Sequence, residues 1–325
     1  MEEEFPFISV IIPHRKNDSI ERSLDQLSKV NYPPDKIEIF TVVGNQPSVQ
    51  RNACLKEAKG SIVYFLDSDS EIEPDNFKLA AEAFKNNLRV GVVGGPSCAR
   101  MGDSQLQNEF TYCLSSYLCV GPISHRYKPF GKIHKATEKE LILCNMLIRY
   151  STLIEVGAFN ESLYPNEENE LMDRIEAAEY EMIYHPGIII HRSPRPDFLS
   201  FVKMLLSYGK GRFKHFTVFF RWKDTVFLIP AAFSIYIVSL PLLPFLQNSY
   251  TVIYALPAIL YCIVTALFCN YSFFLFKENN YRAFSSLPFL FFSVHFFYGL
   301  GILGGFIRLF IKHKQRLFYE VTKHK

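Results

Sequence analysis

Three long apolar stretches in the last third of the sequence constrain this chain more than any other feature. Residues 225–246 and 250–276 contain no charged side chain, and residues 284–311 carry one, Arg308. About 20 apolar residues suffice for a helix to cross the hydrocarbon core of a bilayer, so each stretch qualifies as a span. Pro230, Pro241, Pro244, Pro257 and Pro288 lie within them as potential kinks. The cluster Gly299, Gly301, Gly304 and Gly305 follows no strand and sits in an apolar helical pattern. It therefore reads as a surface for close helix packing rather than as a phosphate loop.

Charge supports a division of the chain. Residues 225–325 hold eight Lys/Arg and two Asp/Glu, whereas the first 224 are slightly acidic, which argues against a nucleic-acid-binding domain. Before the first stretch lie Lys203, Lys210, Arg212, Lys214, Arg221 and Lys223. This basic segment is expected on the cytoplasmic side. The uncharged link 247–249 is expected outside, and the link 277–282, with Lys277 and Arg282, inside. Three crossings would place the basic tail (Lys312, Lys314, Arg316, Lys323, Lys325) outside, against the same rule. The number of spans stays open at this point, with the third stretch, because of Arg308, the first to suspect of being re-entrant or interfacial. The seven Cys show no C-x-x-C pair and no Cys/His metal spacing, so they read as reduced, buried thiols facing a reducing compartment. The acidic start, Met-Glu-Glu-Glu-Phe, lacks the apolar run of a secretory signal.

The first 200 residues alternate between strand and helix signals. Phe7–Ile12 is a short buried strand ended by Pro13, and 37–43 and 61–66 are two more. Val90–Val93 is a fourth. Helical patterns lie between them: from Asp18 with Glu21 as a capping pair, from about Val49 to Ala58, and from Pro74 to near Asn87. Such alternation implies an α/β fold, a Rossmann-type, mostly parallel sheet with helices on both faces. Ligands of these sheets bind beyond the carboxyl ends of the strands. The chemistry is thus expected at Pro13-His14, Gly44-Asn45-Gln46 and Asp67-Ser68-Asp69.

Two carboxylates one residue apart on a bend, as in Asp67-Ser68-Asp69, can approach one hard divalent cation such as Mg²⁺; a helix-capping turn is the plainer alternative. The loop 44–52 leads into a helix whose first N–H groups favour an anion, and Arg51 can add a phosphate contact. Glu167-Glu168-Asn169-Glu170 crowds three carboxylates at a helix start, which either serves the helix dipole or prepares a general base. His191 follows the apolar run 188–190 and can be structural or a metal or phosphate ligand. Tyr208-Gly209-Lys210-Gly211-Arg212 offers two cations for a diphosphate or for anionic lipid.

The order of these motifs resembles family-2 glycosyltransferases of the GT-A fold. Ser9-Val10-Ile11-Ile12-Pro13, Arg51-Asn52, Phe65-Leu66-Asp67-Ser68-Asp69 and Glu167-Glu168-x-Glu170-Leu171-x-x-Arg174 carry the likeness. His191 and the segment 208–212 look like the membrane-anchored bacterial members that build surface polysaccharides. The resemblance implies a nucleotide-sugar donor (a UDP-sugar before a GDP-sugar), a Mg²⁺ or Mn²⁺ ion, and inversion at the anomeric carbon. It implies that Asp69 and Asp67 hold the metal and diphosphate and that His191 completes the metal site. Glu168 aligns with the carboxylate that deprotonates the acceptor. Pro13, Asn45, Arg51, Asp67, Lys210 and Arg212 fall on the donor side, and Asn145 and Glu167 on the acceptor side. Two departures stand out: Asn45 follows the second strand where the family usually has an Asp pair, and Glu168 stands where Asp is usual.

These readings combine as a GT-A-like catalytic domain over 1–200, a basic amphipathic interfacial segment over 201–224, and a membrane domain over 225–325. The chain is expected at the inner or plasma membrane with its catalytic domain cytoplasmic, acting on a lipid-linked or membrane-associated acceptor, with no nucleic-acid polymer as partner. A non-catalytic scaffold or sugar-binding membrane partner on the same fold is the rival reading, and a small transporter or processive synthase a third.

Overall fold

A computed structural model describes residues 5–85, 87–245, 248–276, 281–308 and 318–324. The strands are β1 (Ile8–His14), β2 (Ile37–Gly44), β3 (Ile62–Leu66), β4 (Glu71–Ile72), β5 (Val90–Gly94), β6 (Ser97–Cys98), β7 (His134–Lys135), β8 (Asn145–Arg149), β9 (Glu181–Tyr184), β10 (Ile190–His191) and β11 (Tyr319–His324). The helices are α1 (Glu21–Leu27), α2 (Pro47–Leu55), α3 (Asn76–Phe84), α4 (Gln105–Leu114), α5 (Tyr117–Val120), α6 (Tyr150–Val156), α7 (Glu167–Ala177), α8 (Phe198–Val218), α9 (Ile229–Ser239), α10 (Asn248–Phe276) and α11 (Tyr281–Arg308).

The chain forms two compact units. The first comprises Met1–Gly102, Pro122–Ser193 and Lys314–Lys325; the second comprises Asp103–Gly121 and Pro194–His313. This division differs from the expected linear one. Residues 103–121 leave the α/β unit to join the later helices, and the segment after the third apolar stretch returns to it. Of the basic residues expected in that tail, Lys312, Lys314, Arg316 and Lys325 lie outside the described residues, as do Lys277 and the link residue Gln247.

In the first unit an eight-stranded sheet runs β11-β2-β1-β3-β8-β5-β9-β7. The pairs β1/β2, β1/β3 and β5/β9 are parallel, while β8 lies antiparallel between β3 and β5. Five strands thus point one way and β7, β8 and β11 the other. The mostly parallel expectation holds, with an antiparallel insertion that short-range patterning did not reveal. A second, three-stranded sheet runs β4-β10-β6.

Alternation along each strand feeds two cores, as the period of two requires. Ile11, Val63, Phe65, Met146 and Ile148 face one side with Cys54, Leu55, Leu153, Leu171 and Ile175 of the helices there. Val10, Ile12, Tyr64, Leu66 and Leu147 face the other, with Leu27, Phe77, Ala80 and Phe84. Pro13 does not end β1, which continues to His14 beside β2, although β3 pairs with it only as far as Ile11. The first helix begins at Glu21 rather than at a cap on Asp18, whose carboxylate instead accepts the Arg15 N–H at 3.0 Å.

In the second unit three helical segments are long and apolar enough to cross a membrane: Asp224–Leu242, Tyr250–Cys269 and Ser286–Ile307. The glycine cluster makes the close helix contacts that its composition implies. A Cβ on Gly301 would stand 2.5 Å from the Leu206 carbonyl oxygen, on Gly305 2.7 Å from Phe213 Cβ, and on Gly299 2.0 Å from the Pro230 carbonyl oxygen. Hence α11 lies against both α8 and α9 at backbone distance. The cysteines are free thiols. Cys262, expected to be buried, is exposed on α10, a helix whose apolar surface meets little protein.

Candidate active site

The site begins where β3 ends. All five residues of β3 are buried, and the chain bends at Asp67, whose carbonyl accepts the Ser70 N–H at 3.1 Å. The buried Ser23 hydroxyl braces the bend from α1, 2.7 Å from the Ser68 carbonyl oxygen and 3.0 Å from that of Ser70. The Asp69 side chain is 60% exposed and that of Asp67 31%.

Arginines surround this bend. Arg192 Nη1 donates to Asp67 Oδ2 at 2.6 Å, and its Nε lies 3.4 Å from Asp69 Oδ1. Arg100 Nη2 donates to the Asp69 carbonyl at 2.5 Å. Arg51, on α2, is buried, with Nη2 3.7 Å from Asp67 Oδ1 and Nη1 2.8 Å from Glu167 Oε1. One guanidinium therefore joins the aspartate bend to the acidic start of α7, two motifs a hundred residues apart in sequence. Sequence reasoning expected a phosphate contact from Arg51; the structure gives it an internal bridging position. It gave Arg192 and Arg100 no role, since neither sits in a recognisable motif; only the pairing of β10 with β4 and β6 brings both to the bend.

The three acids of α7 separate by environment. Glu170 pairs with Arg174 at 2.8 Å through both oxygens, and Arg174 also reaches the Ala158 carbonyl at 2.5 Å. That pair is a structural clamp on the loop before α7. Glu167 is buried, and burial first, then the charge of Glu168, push its carboxyl up to about 7 against the opposing pull of Arg51. Glu168 is only partly covered and its Oε1 accepts a long 3.5 Å bond from Asn169 Nδ2. Asn169 is in turn fixed by Asn166 and by Arg126, at 3.0 and 2.8 Å.

The remaining expected residues distribute as follows. Pro13 lies buried near the carboxyl end of β1. Asn45 is exposed at the tip of β2. Its loop is held by internal bonds, among them Gln50 Nε2 to the Val42 carbonyl at 2.6 Å and Ser48 Oγ to the Leu163 carbonyl at 2.8 Å. Asn145, expected where the two sugars meet, is fully buried: Tyr64 Oη donates to its Oδ1 at 3.0 Å, and its Nδ2 donates to the Pro96 and Ile188 carbonyls at 3.1 and 2.8 Å. Its amide ties β3 to β8 and to the segments at Pro96 and Ile188. The ring nitrogens of His191 meet Glu73 Oε1 at 2.9 Å and the Ala99 carbonyl at 3.1 Å, so its neighbour Arg192 is the one that meets the aspartates. Lys210 and Arg212 belong to α8 in the second unit. There Arg212 is buried, with its guanidinium 4.0 Å from the centroid of Phe227.

Asp67 and Asp69 are oxygen donors on a partly open bend, the donor set that Mg²⁺ or Mn²⁺ takes when water and substrate phosphates supply the other ligands. Among the described residues no three His, Cys, Asp or Glu side chains gather around one point. The residues fit a cation held by two aspartates and the substrate, with Arg192 giving up part of its hold.

Residues 9–148 match the family model described as Glycosyl transferase family 2. The fold is similar to that of the mannosyltransferase PcManGT from Pyrobaculum calidifontis in complex with GDP-Man and Mn²⁺, at 15% identity and a TM-score of 0.52, covering 89% of this chain and 86% of that one. It also overlaps S. aureus TarS 1-349 in complex with UDP-GlcNAc, at 15% identity and a TM-score of 0.44 over 90% of each chain. No curated protein matches the chain in sequence. Over residues 9–148 the α/β unit is thus similar in sequence to glycosyl transferase family 2, and its mostly parallel sheet has a GT-A-like fold.

Proposed function

We propose that the chain is a membrane-associated, metal-dependent inverting glycosyltransferase that moves a sugar from a nucleoside diphosphate to a membrane-bound acceptor. One observation carries the reading: Arg51 joins Asp67, at the tip of β3, to Glu167, beside Glu168 at the start of α7. A diphosphate-binding bend and a partly open carboxylate thereby share one edge of the sheet.

Asp67 and Asp69 would hold Mg²⁺ or Mn²⁺, which would supply positive charge against that of the diphosphate. Arg192, freed in part from the aspartates, turns its guanidinium to the phosphates and stabilises the same charge. Asn45 reads the base at the tip of β2 in place of a carboxylate. Glu168 takes the proton from the acceptor hydroxyl on the face opposite the leaving group, so configuration inverts. We assign the base to Glu168 rather than Glu167 because Glu167 is buried, although its raised pKa would suit a base. Glu167 is bonded to Arg51, whereas Glu168 is only partly covered. That a structural neighbour holds GDP-Man and Mn²⁺ supports the cofactor and donor class; a UDP-sugar remains the donor we assign, and a lipid-linked saccharide the acceptor class.

The membrane assignment gains a parity condition. Strand β11 is hydrogen-bonded to β2 in the same sheet as β1 and β3. The chain therefore leaves the α/β unit at Ser193 and re-enters it on the same side of any bilayer, so its apolar helices cross an even number of times. Two of the three cross and one does not. The third is the one that stays, because 44% of its apolar window is buried in protein against 11% for each of the others. On this reading the basic tail would lie on the side that the positive-inside rule favours. Incubation of the purified chain with a panel of UDP- and GDP-sugars, Mn²⁺ and polyprenyl-linked saccharides tests the activity. Stable binding of sugars without turnover of any donor would favour the scaffold reading instead.

A further inference from the structure

Strand β11 is remote in sequence from the site motifs yet ends at the sheet edge that holds them. It runs antiparallel to β2 with Tyr319 opposite Gly44 and His324 opposite Ile39. Its first residue therefore stands at the carboxyl end of β2, the edge where ligands of such sheets bind. One residue earlier, Phe318 meets Asn45. The Asn45 N–H donates to the Phe318 carbonyl, and the Phe318 N–H donates to Asn45 Oδ1, both at 3.3 Å. The strand is anchored along its length by Lys323 Nζ on Glu38 Oε2 at 2.5 Å and by His324 Nε2 against Thr41 Oγ1 at 2.8 Å. Strand β2 is fitted to it as well. A Cβ on Gly44 would stand 2.7 Å from the Phe318 carbonyl oxygen, so the absence of a side chain there admits the close approach.

This arrangement leaves a large aromatic ring, Phe318, 54% exposed beside an amide at a strand tip. A nucleobase has apolar faces and a polar edge. A ring for the face and an amide for the edge are the complementary pair, and base–aromatic stacking is a substantial, base-tolerant contact. We infer that Phe318 is a donor-binding residue, stacking on the nucleobase while its backbone holds Asn45 in place beside it. The inference rests on the reading of the β2 and β3 tips as the donor site and extends it to a strand that lies beyond the residues matching the family.

The test measures, by calorimetry on the full chain in detergent with Mn²⁺, the affinity for UDP, for GDP and for inorganic pyrophosphate. The proteins are the wild type, Phe318→Ala, Phe318→Leu and Phe318→Trp, checked for matched melting temperatures. Nucleotide affinity should fall on the order of tenfold in the Ala and Leu variants and recover in the Trp variant. Pyrophosphate, which has no base, should bind all four alike. Equal weakening of pyrophosphate and nucleotide would give Phe318 a structural role only and overturn the inference, as would unchanged nucleotide affinity in Phe318→Ala. If the wild type itself binds neither nucleotide, the donor-site reading fails first, and that result is distinct from either of the others.

Discussion

Replacing Arg51 with Met should destabilise the α/β unit in a pH-dependent way, because Arg51 is the counter-ion of a buried carboxylate. Its Nη1 lies 2.8 Å from Glu167 Oε1, and both side chains are about 5% exposed or less. At an effective dielectric of about 20 the direct attraction at this distance is on the order of 6 kcal/mol. Desolvation offsets part of it, and breaking such a pair by removing one partner typically costs about 3–5 kcal/mol. At roughly 2–4 °C per kcal/mol for a unit of this size, the melting temperature at pH 8 should fall by about 6–20 °C. At pH 5 the deficit should shrink, since Glu167, already raised to about 7, is then protonated and needs no counter-ion. Adding Glu167→Gln to Arg51→Met should recover most of the loss at pH 8, because the remaining group is a neutral amide. Thermal melts of the detergent-solubilised chain at both pH values measure all of this. A deficit equal at pH 5 and pH 8, or a double variant no more stable than Arg51→Met, would refute the argument.

Other expectations follow from single contacts. Because the folded pKa of Glu167 lies above its ordinary value of 4.5, the native chain keeps a proton that the unfolded chain has lost. Stability should therefore decline as pH rises from about 4.5 through about 7 and level off above, and Glu167→Gln should flatten that decline in a melting series. Glu168→Gln should retain donor affinity and lose transfer by a factor on the order of 10²–10⁴, read as initial rates beside nucleotide calorimetry; unchanged transfer would remove it from the role of base. Gly301→Leu should separate α8 from α11, because even a Cβ there meets the Leu206 carbonyl at 2.5 Å; a cysteine crosslink between the two helices should be lost. A reporter fused after His324 should lie on the same side of the membrane as the α/β unit, as the β11–β2 pairing requires.

What the sequence disclosed depended on how local the cause was. Strands β1, β2, β3 and β5 were legible as short β-branched runs because they are wholly or largely buried and their ends carry Pro, Gly or Asp. The Asp67-Ser68-Asp69 bend was legible because it ends such a run, and the glycine cluster because small residues in an apolar helix have few other uses. The antiparallel insertion of β8 was hidden. Its run Asn145–Arg149 is like any buried strand, and direction is set by partners far along the chain. Arg192 was hidden for the same reason, while His191 drew the attention that a metal-capable side chain invites. The internal bonds of Asn145 were hidden as well, because a buried amide and a substrate-binding amide look alike in sequence until the carbonyls of Pro96 and Ile188 are seen to accept from it. The return of β11 to β2 was invisible to hydropathy, which counts apolar residues and knows nothing of a hydrogen-bonded register.

The central claim is that Asp67 and Asp69 hold a divalent cation through which a nucleoside diphosphate is bound. Calorimetric titration of UDP into the full chain, with and without Mn²⁺ and in wild type and Asp69→Ala, tests it most directly. The account predicts Mn²⁺-dependent binding in the wild type and its loss in the variant. Binding that ignores both the metal and the substitution, or no binding under any condition, would contradict it.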